Sequence, residues 1–246
     1  MKNHFLIAAL FLIPTSAAAA DESPSLPTAT EIVARMGSRD LQRQGSIEGY
    51  AGMRRYVLDN QHLHKRAEML VQVQGDPDGT KHFEVVSEEG WKAAHKHVLR
   101  KMLESESETS RPEARAKARI NPENYDFKIA GTEIVDGRTT YVLEVSPKRK
   151  EKYIFRGRIW VDAEDYALAR AEGQPAKNPS FWTKSTHFVQ IYQKNGSLWF
   201  PHSTQSVTDA HIFGTTDVNI DYFDYAPKTT PASDNPVMSA KEMPKR

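Results

Sequence analysis

Alternation of apolar and polar residues between Tyr125 and Gly173 constrains the fold of this chain more than any other feature. The run Tyr125–Ile129 places an apolar side chain at every second position, which puts those side chains on one face of a β-strand. Asp136-Gly137 follows with the residues that a tight hairpin turn prefers. The same alternation returns in three further runs, at residues 141–145, 153–162 and 167–172. The pattern therefore predicts consecutive antiparallel strands that share one apolar face.

Residues 1–20 are expected to be a secretory signal peptide and not part of the fold. Lys2 precedes a short apolar run, Phe5–Ile13, and small residues then lead to Asp21. This order is typical of a cleaved export signal. The apolar run is shorter than the roughly 20 residues needed to span a bilayer. We therefore predict export to the periplasm.

Charge and cysteine content exclude several classes of protein. The chain has 33 lysines and arginines against 32 acidic residues, and loss of Lys2 with the signal peptide would balance the charges. That balance gives no general attraction to nucleic acid, so no nucleic-acid partner is expected. The sequence contains no cysteine, which excludes disulfide bonds, thiolate metal ligands, a cysteine nucleophile and a lipid-modified N-terminal cysteine.

A helix and three strands are predicted in the first part of the mature chain. Thr28-Ala29-Thr30-Glu31 has the spacing of a capping box, so an amphipathic helix is expected over 29–44, with Gly45 at its end. Pro77 and Gly79 lie in a sequence that favours a turn. The strands around this turn are expected at residues 47–60 and 62–74 and in a third segment that contains Phe83 and Val85.

The apolar period changes at Gly90. Over residues 91–103 the apolar side chains recur at three- and four-residue steps, which predicts an amphipathic helix. Ser105–Ser110 is predicted to be a loop. A second capping box, Ser110-Arg111-Pro112-Glu113, then predicts a short helix over 111–119. This helical interval separates the first three predicted strands from the remaining ones.

The predicted elements together indicate the α+β class. Asn195-Gly196 is a strong hairpin signal between runs at 183–194 and 197–208, and a last strand is expected over 211–225. The fold is then a curved antiparallel sheet of about ten strands, an incomplete β-barrel, with helices covering its concave face. The expected boundaries are a leader at 21–27, a folded domain at 28–225 and a disordered tail at 226–246.

Several short motifs and the order of the elements resemble outer-membrane lipoprotein-sorting proteins of the LolA/LolB-like superfamily. The motifs are Tyr125-x-Phe127, Gly131, Val135-Asp136-Gly137-Arg138, Tyr141-Val142-Leu143, Pro147-Lys148 and Trp160-Val161-Asp162. The resemblance implies a hydrophobic cavity, covered by helices, that binds acyl chains of lipoproteins or lipids and carries them across the periplasm. Some relatives are instead sensors that engage a regulatory protein. LolA-type carriers have an Arg-Pro pair after the third strand, where this chain has Val86-Ser87-Glu88-Glu89-Gly90.

The resemblance and the alternation together nominate residues for a hydrophobic cavity. The candidates are Val71, Val73, Phe83, Val85, Trp91, Leu99, Met102, Phe127, Ile129, Tyr141, Leu143 and Phe155. All of them are equally suited to an ordinary hydrophobic core, and they form a cavity only where side chains leave space. The helices over 91–119 are likewise either a mobile cover or a permanent part of the core.

Other motifs give little support for catalysis or metal binding. The sequence lacks G-x-S-x-G, H-E-x-x-H and P-loop motifs, so no enzyme activity and no cofactor are predicted. His62 and His64 share a strand face but have no third ligand nearby in sequence. The basic run Lys148–Lys152 is either a solvated turn or a contact for anionic lipid headgroups.

The prediction from sequence is thus a periplasmic carrier of acyl chains that acts as a monomer and performs no chemical step. A membrane-bound donor and an outer-membrane acceptor are the expected partners. The alternative is a periplasmic sensor or scaffold that uses the same sheet to engage a regulatory or membrane protein.

Overall fold

A computed structural model describes residues 26–178, 183–212 and 214–228 of the chain. The predicted signal peptide lies outside the described residues, as do most of the predicted leader and residues 229–246 of the predicted tail. Within the described ranges, no helix is both long and apolar enough to cross a membrane.

In the part of the chain that the structure describes, ten strands form one antiparallel sheet, as the alternation predicted. They are β1 (Tyr50–Asn60), β2 (Lys65–Gly75), β3 (Lys81–Gly90), β4 (Tyr125–Val135), β5 (Arg138–Pro147), β6 (Phe155–Asp162), β7 (Leu168–Pro175), β8 (Thr183–Asn195), β9 (Leu198–Ala210) and β10 (Gly214–Pro227). The order across the sheet is β3-β2-β1-β10-β9-β8-β7-β6-β5-β4, so β3 and β4 are its free edges. The sheet is curved and does not close, which confirms the incomplete barrel.

Among the described residues, four α-helices and one π-helical turn accompany the sheet. They are α1 (Ala29–Gln44), α2 (Lys92–Ala94), the π-helical turn His95–Leu99, α3 (Arg100–Ser110) and α4 (Pro112–Ala118). The segment from Lys92 to Ser110 is helical without a break, and we call it the long helix. Together with α4, it connects the edge strand β3 to the opposite edge strand β4.

The concave face is apolar at both sides and polar in its centre. One row of directly opposed residues runs from β4 to β2, and it consists of Ile129, Leu143, Ile159, Ala171, Gln190, Thr204, Ile220, Tyr56 and Met69. Beyond this row, on β3, Met69 is opposite Glu88, next to a register shift. The polar members, Gln190 and Thr204, lie on the central strands β8 and β9. The concave face is therefore divided into two apolar regions with a polar strip between them.

Each apolar region packs under its own helix. Leu99 and Leu103 of the long helix are buried against residues of β1, β2 and β10 such as Met69 and Ile220. Ile32 and Val33 of α1 are buried against residues of β4 to β7 such as Leu143. Two separate hydrophobic clusters result, because neither helix covers the central strands.

A pair of opposed glycines brings β6 and β7 close together on the α1 side. Gly157 pairs directly with Gly173. A Cβ atom at Gly157 would lie 1.9 Å from the carbonyl oxygen of Glu172, so these backbones approach as only glycine permits. Beside them, Phe155 and Phe188 pack edge to face with ring centroids 5.2 Å apart.

Three local predictions were wrong. Ser105–Ser110 is the end of α3 and not a loop, because its hydroxyls bond to the helix backbone and to β3: Ser110 Oγ donates to Ser107 O and accepts from Lys81 N. For the same reason Ser110 does not cap α4, which begins after Arg111 without a side-chain cap. The turn between β8 and β9 is Gly196-Ser197 and not Asn195-Gly196, because Gly196 alone takes a positive φ there, at 62°.

Candidate functional site

A cleft lies on the concave face at the end of the sheet where β1 and β9 begin and β8 and β10 end. Its main cavity has a volume of about 530 Å³. A second cavity of about 330 Å³ shares five of the lining residues, among them Tyr50, Lys81 and Glu106. We call the two together the central cleft. The main cavity is lined by Asp40, Arg43, Gln44, Ile47, Tyr50, Arg54, Lys81, Glu106, Gln190, Tyr192, Leu198, Trp199, Phe200, Pro201, Thr204, Tyr222 and Tyr225.

Three charged residues from three elements meet in this cleft. Arg54 on β1 is 1% exposed and contacts the Glu106 carboxylate of α3 with both terminal nitrogens: Nη1–Oε2 is 2.7 Å and Nη2–Oε1 is 3.2 Å. Lys81 Nζ on β3 donates to Glu106 Oε1 at 2.7 Å. Such a two-pronged guanidinium–carboxylate contact is among the stronger polar contacts in proteins. The contacts of Glu106 with Arg54 and Lys81 join the long helix to β1 and β3.

Tyrosines and a phenylalanine surround the Arg54 guanidinium. Its Nε donates to Tyr225 Oη at 2.9 Å, and Nη1 donates to Tyr56 Oη at 3.2 Å. The rings of Phe83 and Tyr222 lie 5.1 and 4.8 Å from its central carbon, a distance at which a cation is attracted to an aromatic face. The buried charge is thus held by hydrogen bonds, by a carboxylate and by aromatic faces.

Aromatic rings also form the outer wall of the cleft. Tyr50 stacks on Tyr225 at a centroid distance of 5.6 Å, and Phe200 contacts Tyr225 at 5.3 Å and Tyr50 at 6.0 Å. These residues come from the start of β1, the start of β9 and the end of β10. Strand pairing brings them together, since Tyr50 is opposite Pro227.

Trp199 is fixed by an ion network on the α1 side of the cleft. Its Nε1 donates to Asp165 Oδ2 at 3.0 Å, and Lys194 Nζ lies 2.7 Å from the same oxygen. Arg43 of α1 donates to the backbone carbonyl of Asp165 at 3.0 Å. Arg138 joins the network through Asp162, at 2.6 and 2.9 Å. The acidic turn at 162–165 therefore anchors one wall of the cleft.

Ionisation in the cleft follows from these contacts. Burial alone would raise the pKa of Glu106, but Lys81 and Arg54 outweigh it and lower that pKa to about 2. Burial raises the pKa of Tyr50 to about 12 and also raises the pKa values of Tyr192, Tyr222 and Tyr225. At neutral pH the cleft therefore contains an ionised carboxylate and protonated phenols.

The structure divides eleven of the twelve predicted cavity residues between the two hydrophobic clusters. Val71, Phe83, Val85, Trp91, Leu99 and Met102 belong to the cluster under the long helix, and Phe127, Ile129, Tyr141, Leu143 and Phe155 belong to the cluster under α1. Val73 is fully buried. None of the twelve lines the central cleft. Phe83 is close to the cleft, since its ring lies 5.1 Å from the central carbon of Arg54.

The remaining sequence candidates have structural contacts. Arg149 of the basic run donates to Asn124 Oδ1 and to the carbonyl of Lys117, which fastens its loop to the end of α4. His62 and His64 lie in the turn between β1 and β2 and not on a strand, so the predicted shared strand face is wrong. Among the described residues, no group of three or more His, Cys, Asp or Glu side chains is placed to hold a metal ion.

Sequence reasoning missed Arg54, Lys81, Glu106 and the tyrosines of the cleft. One signal was available for Arg54. It occupies the same phase of β1 as Tyr56 and Leu58, so the alternation itself assigns a charged side chain to the buried face. A charge in that phase requires a partner, and the partner comes from a segment that was predicted to be a loop.

A family of unknown function, DUF5686, matches residues 121–225. None of the curated proteins matches the sequence. The structure is similar to that of a LolA superfamily protein from Nitrosomonas europaea, with a TM-score of 0.42 and 11% identity over 84% of this chain and 96% of that one.

Two further structures are similar to this chain. One is described as an outer membrane lipoprotein-sorting protein domain from Vibrio parahaemolyticus, with a TM-score of 0.41 and 15% identity over 82% of this chain and 94% of that one. The other is the MucA/MucB complex of Pseudomonas aeruginosa, with a TM-score of 0.28 and 9% identity over 82% and 99%. LolA-type and lipoprotein-sorting structures, which the sequence motifs resemble, are thus among its structural relatives.

Proposed function

We propose that this protein is a periplasmic carrier that binds acyl chains of lipoproteins or lipids and passes them toward the outer membrane. The observation that supports it most is the central cleft between the two helices. Its main cavity of about 530 Å³ falls in the range of roughly 300–1,000 Å³ that small-molecule sites occupy. Aromatic rings line its wall and charged groups lie at its base, a combination that suits an amphiphile.

An acyl chain in this cleft would extend along the aromatic wall of Tyr50, Phe200 and Tyr225. Its burial is favourable by about 0.8 kcal/mol per methylene group. The twelve apolar residues predicted from sequence lie outside the cleft, and those beneath a helix would become accessible if that helix moved away from the sheet. Their role in ligand binding remains part of the proposal.

Carriage of this kind needs no chemical step. An acyl chain that leaves the cleft stays buried only when a partner offers a comparable apolar site. Release would therefore take place at an acceptor. The proposal accordingly assigns no catalytic residue and places the protein between a membrane-bound donor and an outer-membrane acceptor.

Native mass spectrometry of the protein purified from periplasm tests the proposal, followed by extraction and identification of bound lipids. We expect co-purified acyl species in the wild-type protein and their loss in Phe200→Asp, which puts a charge in the aromatic wall. Val207→Asp is the matched control, since Val207 is on the same strand but is an exposed side chain outside the cleft.

Two results would contradict the carrier. The first is a protein that carries no acyl species and binds no fluorescent fatty acid in vitro. The second is a stable complex with a membrane protein that forms while the cleft stays empty, which would favour the sensor or scaffold.

A further inference from the structure

Glu106 sits where an external anion would be expected to bind. Its carboxylate accepts hydrogen bonds from both terminal nitrogens of Arg54 and from the ammonium group of Lys81. Guanidinium groups hold phosphate groups with the same two-pronged geometry. Glu106 is 33% exposed while Arg54 is 1% exposed, so the carboxylate is accessible from the cleft and covers the guanidinium beneath it.

We propose that Arg54 and Lys81 form a binding site for the anionic headgroup of an acyl-chain ligand, in which Glu106 occupies the anion position until the ligand displaces it. This inference rests on the proposed function, because it assigns the ligand's headgroup chemistry to a site within the same cleft. The chemical class is an acyl chain that ends in a phosphate or a carboxylate.

The charges and hydroxyls of the cleft favour an anionic group. The lining of the main cavity contains three cations, Arg43, Arg54 and Lys81, and two carboxylates, Asp40 and Glu106. An anionic headgroup would balance this excess of positive charge. The hydroxyl oxygen of Tyr225 accepts a hydrogen bond from Arg54. The hydroxyl proton of Tyr225 can therefore be donated to an incoming oxygen.

Displacement of Glu106 would also loosen the long helix. Around Glu106, the long helix is attached to β3 through Ser107 Oγ, which donates to Lys81 O at 3.1 Å, and through Ser110 Oγ, which accepts from Lys81 N at 2.8 Å. Lys81 thus holds the end of this helix by side chain and backbone together. A headgroup that takes the Lys81 ammonium removes the charged part of this attachment.

Isothermal titration with three probes tests the site in the full-length mature protein. The probes are dodecyl phosphate and dodecyl maltoside, each below its critical micelle concentration, and inorganic phosphate. We expect dodecyl phosphate to bind about tenfold or more tightly than dodecyl maltoside, as one charge-assisted contact predicts. Glu106→Gln should strengthen dodecyl phosphate binding further, because the competing charge is removed, and should therefore widen the preference for dodecyl phosphate over dodecyl maltoside.

Variants of the two cations complete the test. Lys81→Gln should reduce the preference for dodecyl phosphate, and Arg54→Gln should abolish it. If Arg54→Gln does not fold, Lys81→Gln carries the test, because Lys81 is part-exposed. Arg55→Gln is the control: Arg55 neighbours Arg54 on β1 but pairs with Asp221 in the open, with both side chains 51% exposed, so its loss should not alter binding.

The outcomes separate the headgroup site from the carrier. Equal binding of both dodecyl compounds, unaffected by Glu106→Gln, would overturn the headgroup site and leave the carrier standing. Inorganic phosphate binding as tightly as dodecyl phosphate would support the anion site and contradict the acyl carrier. No binding of any probe would overturn both.

Discussion

The two halves of the concave face are covered by helices of very different character. On the α1 side, a capped helix buries Ile32, Val33 and Met36 in an apolar cluster. On the other side, the long helix contains a π-helical turn and reaches the sheet partly through the buried ion pair of Glu106 with Arg54. Apolar side chains that leave the core find no comparable contacts in water, whereas a charged side chain can exchange its partner for another ion. We therefore expect the long helix, rather than α1, to be the cover that moves.

The largest expected effect is a loss of global stability on the α1 side. Leu143→Ala should lower the free energy of unfolding by about 2–5 kcal/mol, because it leaves a cavity at a fully buried position. Urea denaturation measures the change. Ile134→Ala, at a 67% exposed position on the neighbouring strand β4, is the control and should change stability little. Similar losses in both variants would contradict the assignment of this cluster as the stable half.

A smaller and more local effect is expected on the side of the long helix. Glu106→Ala should cost about 2 kcal/mol, because Arg54 then stays buried without its carboxylate. Hydrogen exchange should increase in residues 100–110 while residues 125–175 stay protected. Equal increases in both regions would show that the two halves unfold as one unit and would remove the contrast between them.

Acid should weaken the long-helix side through the same residue. The pKa of Glu106 is lowered from 4.5 to about 2 in the folded protein, so the unfolded state binds more protons between these values. Stability from Glu106 is therefore complete above about pH 4.5 and is lost as the pH falls toward 2. Unfolding midpoints measured from pH 6 to pH 2 should fall less steeply in Glu106→Gln than in the wild type. Parallel curves would contradict the prediction.

The smallest expected effect is at the start of α1. Thr28 and Glu31 form a capping box, with Thr28 N donating to Glu31 Oε2 at 2.8 Å. Thr28→Ala should cost about 1 kcal/mol, as measured by thermal unfolding. Arg111→Ala provides the comparison, because Arg111 is the N-cap residue of α4 and its side chain makes no capping hydrogen bond. Its replacement should therefore have almost no effect on capping. A cost at Arg111 equal to that at Thr28 would show that the cap is not the cause.

Sequence predicted the features that depend on neighbouring residues. The bounds of α1 were predicted correctly because the capping box and Gly45 act within one turn of the helix. The strand faces were predicted because alternation has a period of two whatever the partner strand. The hairpin at Asp136-Gly137 was predicted because both residues adopt a positive φ, at 48° and 75°.

Features that depend on distant residues were not predicted. Ser105–Ser110 is helical partly because Glu106 pairs with Arg54, which lies 52 positions earlier in the chain. The polar centre of the concave face was missed because it depends on where β8 and β9 lie in the sheet. Gln190 and Thr204 form a polar strip only because these strands lie between the two regions that the helices cover. The division of eleven of the apolar candidates into two clusters was not predicted for the same reason, since these residues share a face of the sheet but pack under different helices.

The path of the chain sets a limit on how the long helix can move. Its first residues continue from the edge strand β3, and α4 leads from its end to the opposite edge strand β4. The cover is thus a strap fastened at both rims of the sheet. Near the middle of the sheet, the first and last strands meet: the backbone N–H of Lys228 donates to the carbonyl oxygen of Gly49 at 2.8 Å. A chain cut between α4 and β4 would keep every strand pairing and free one end of the strap.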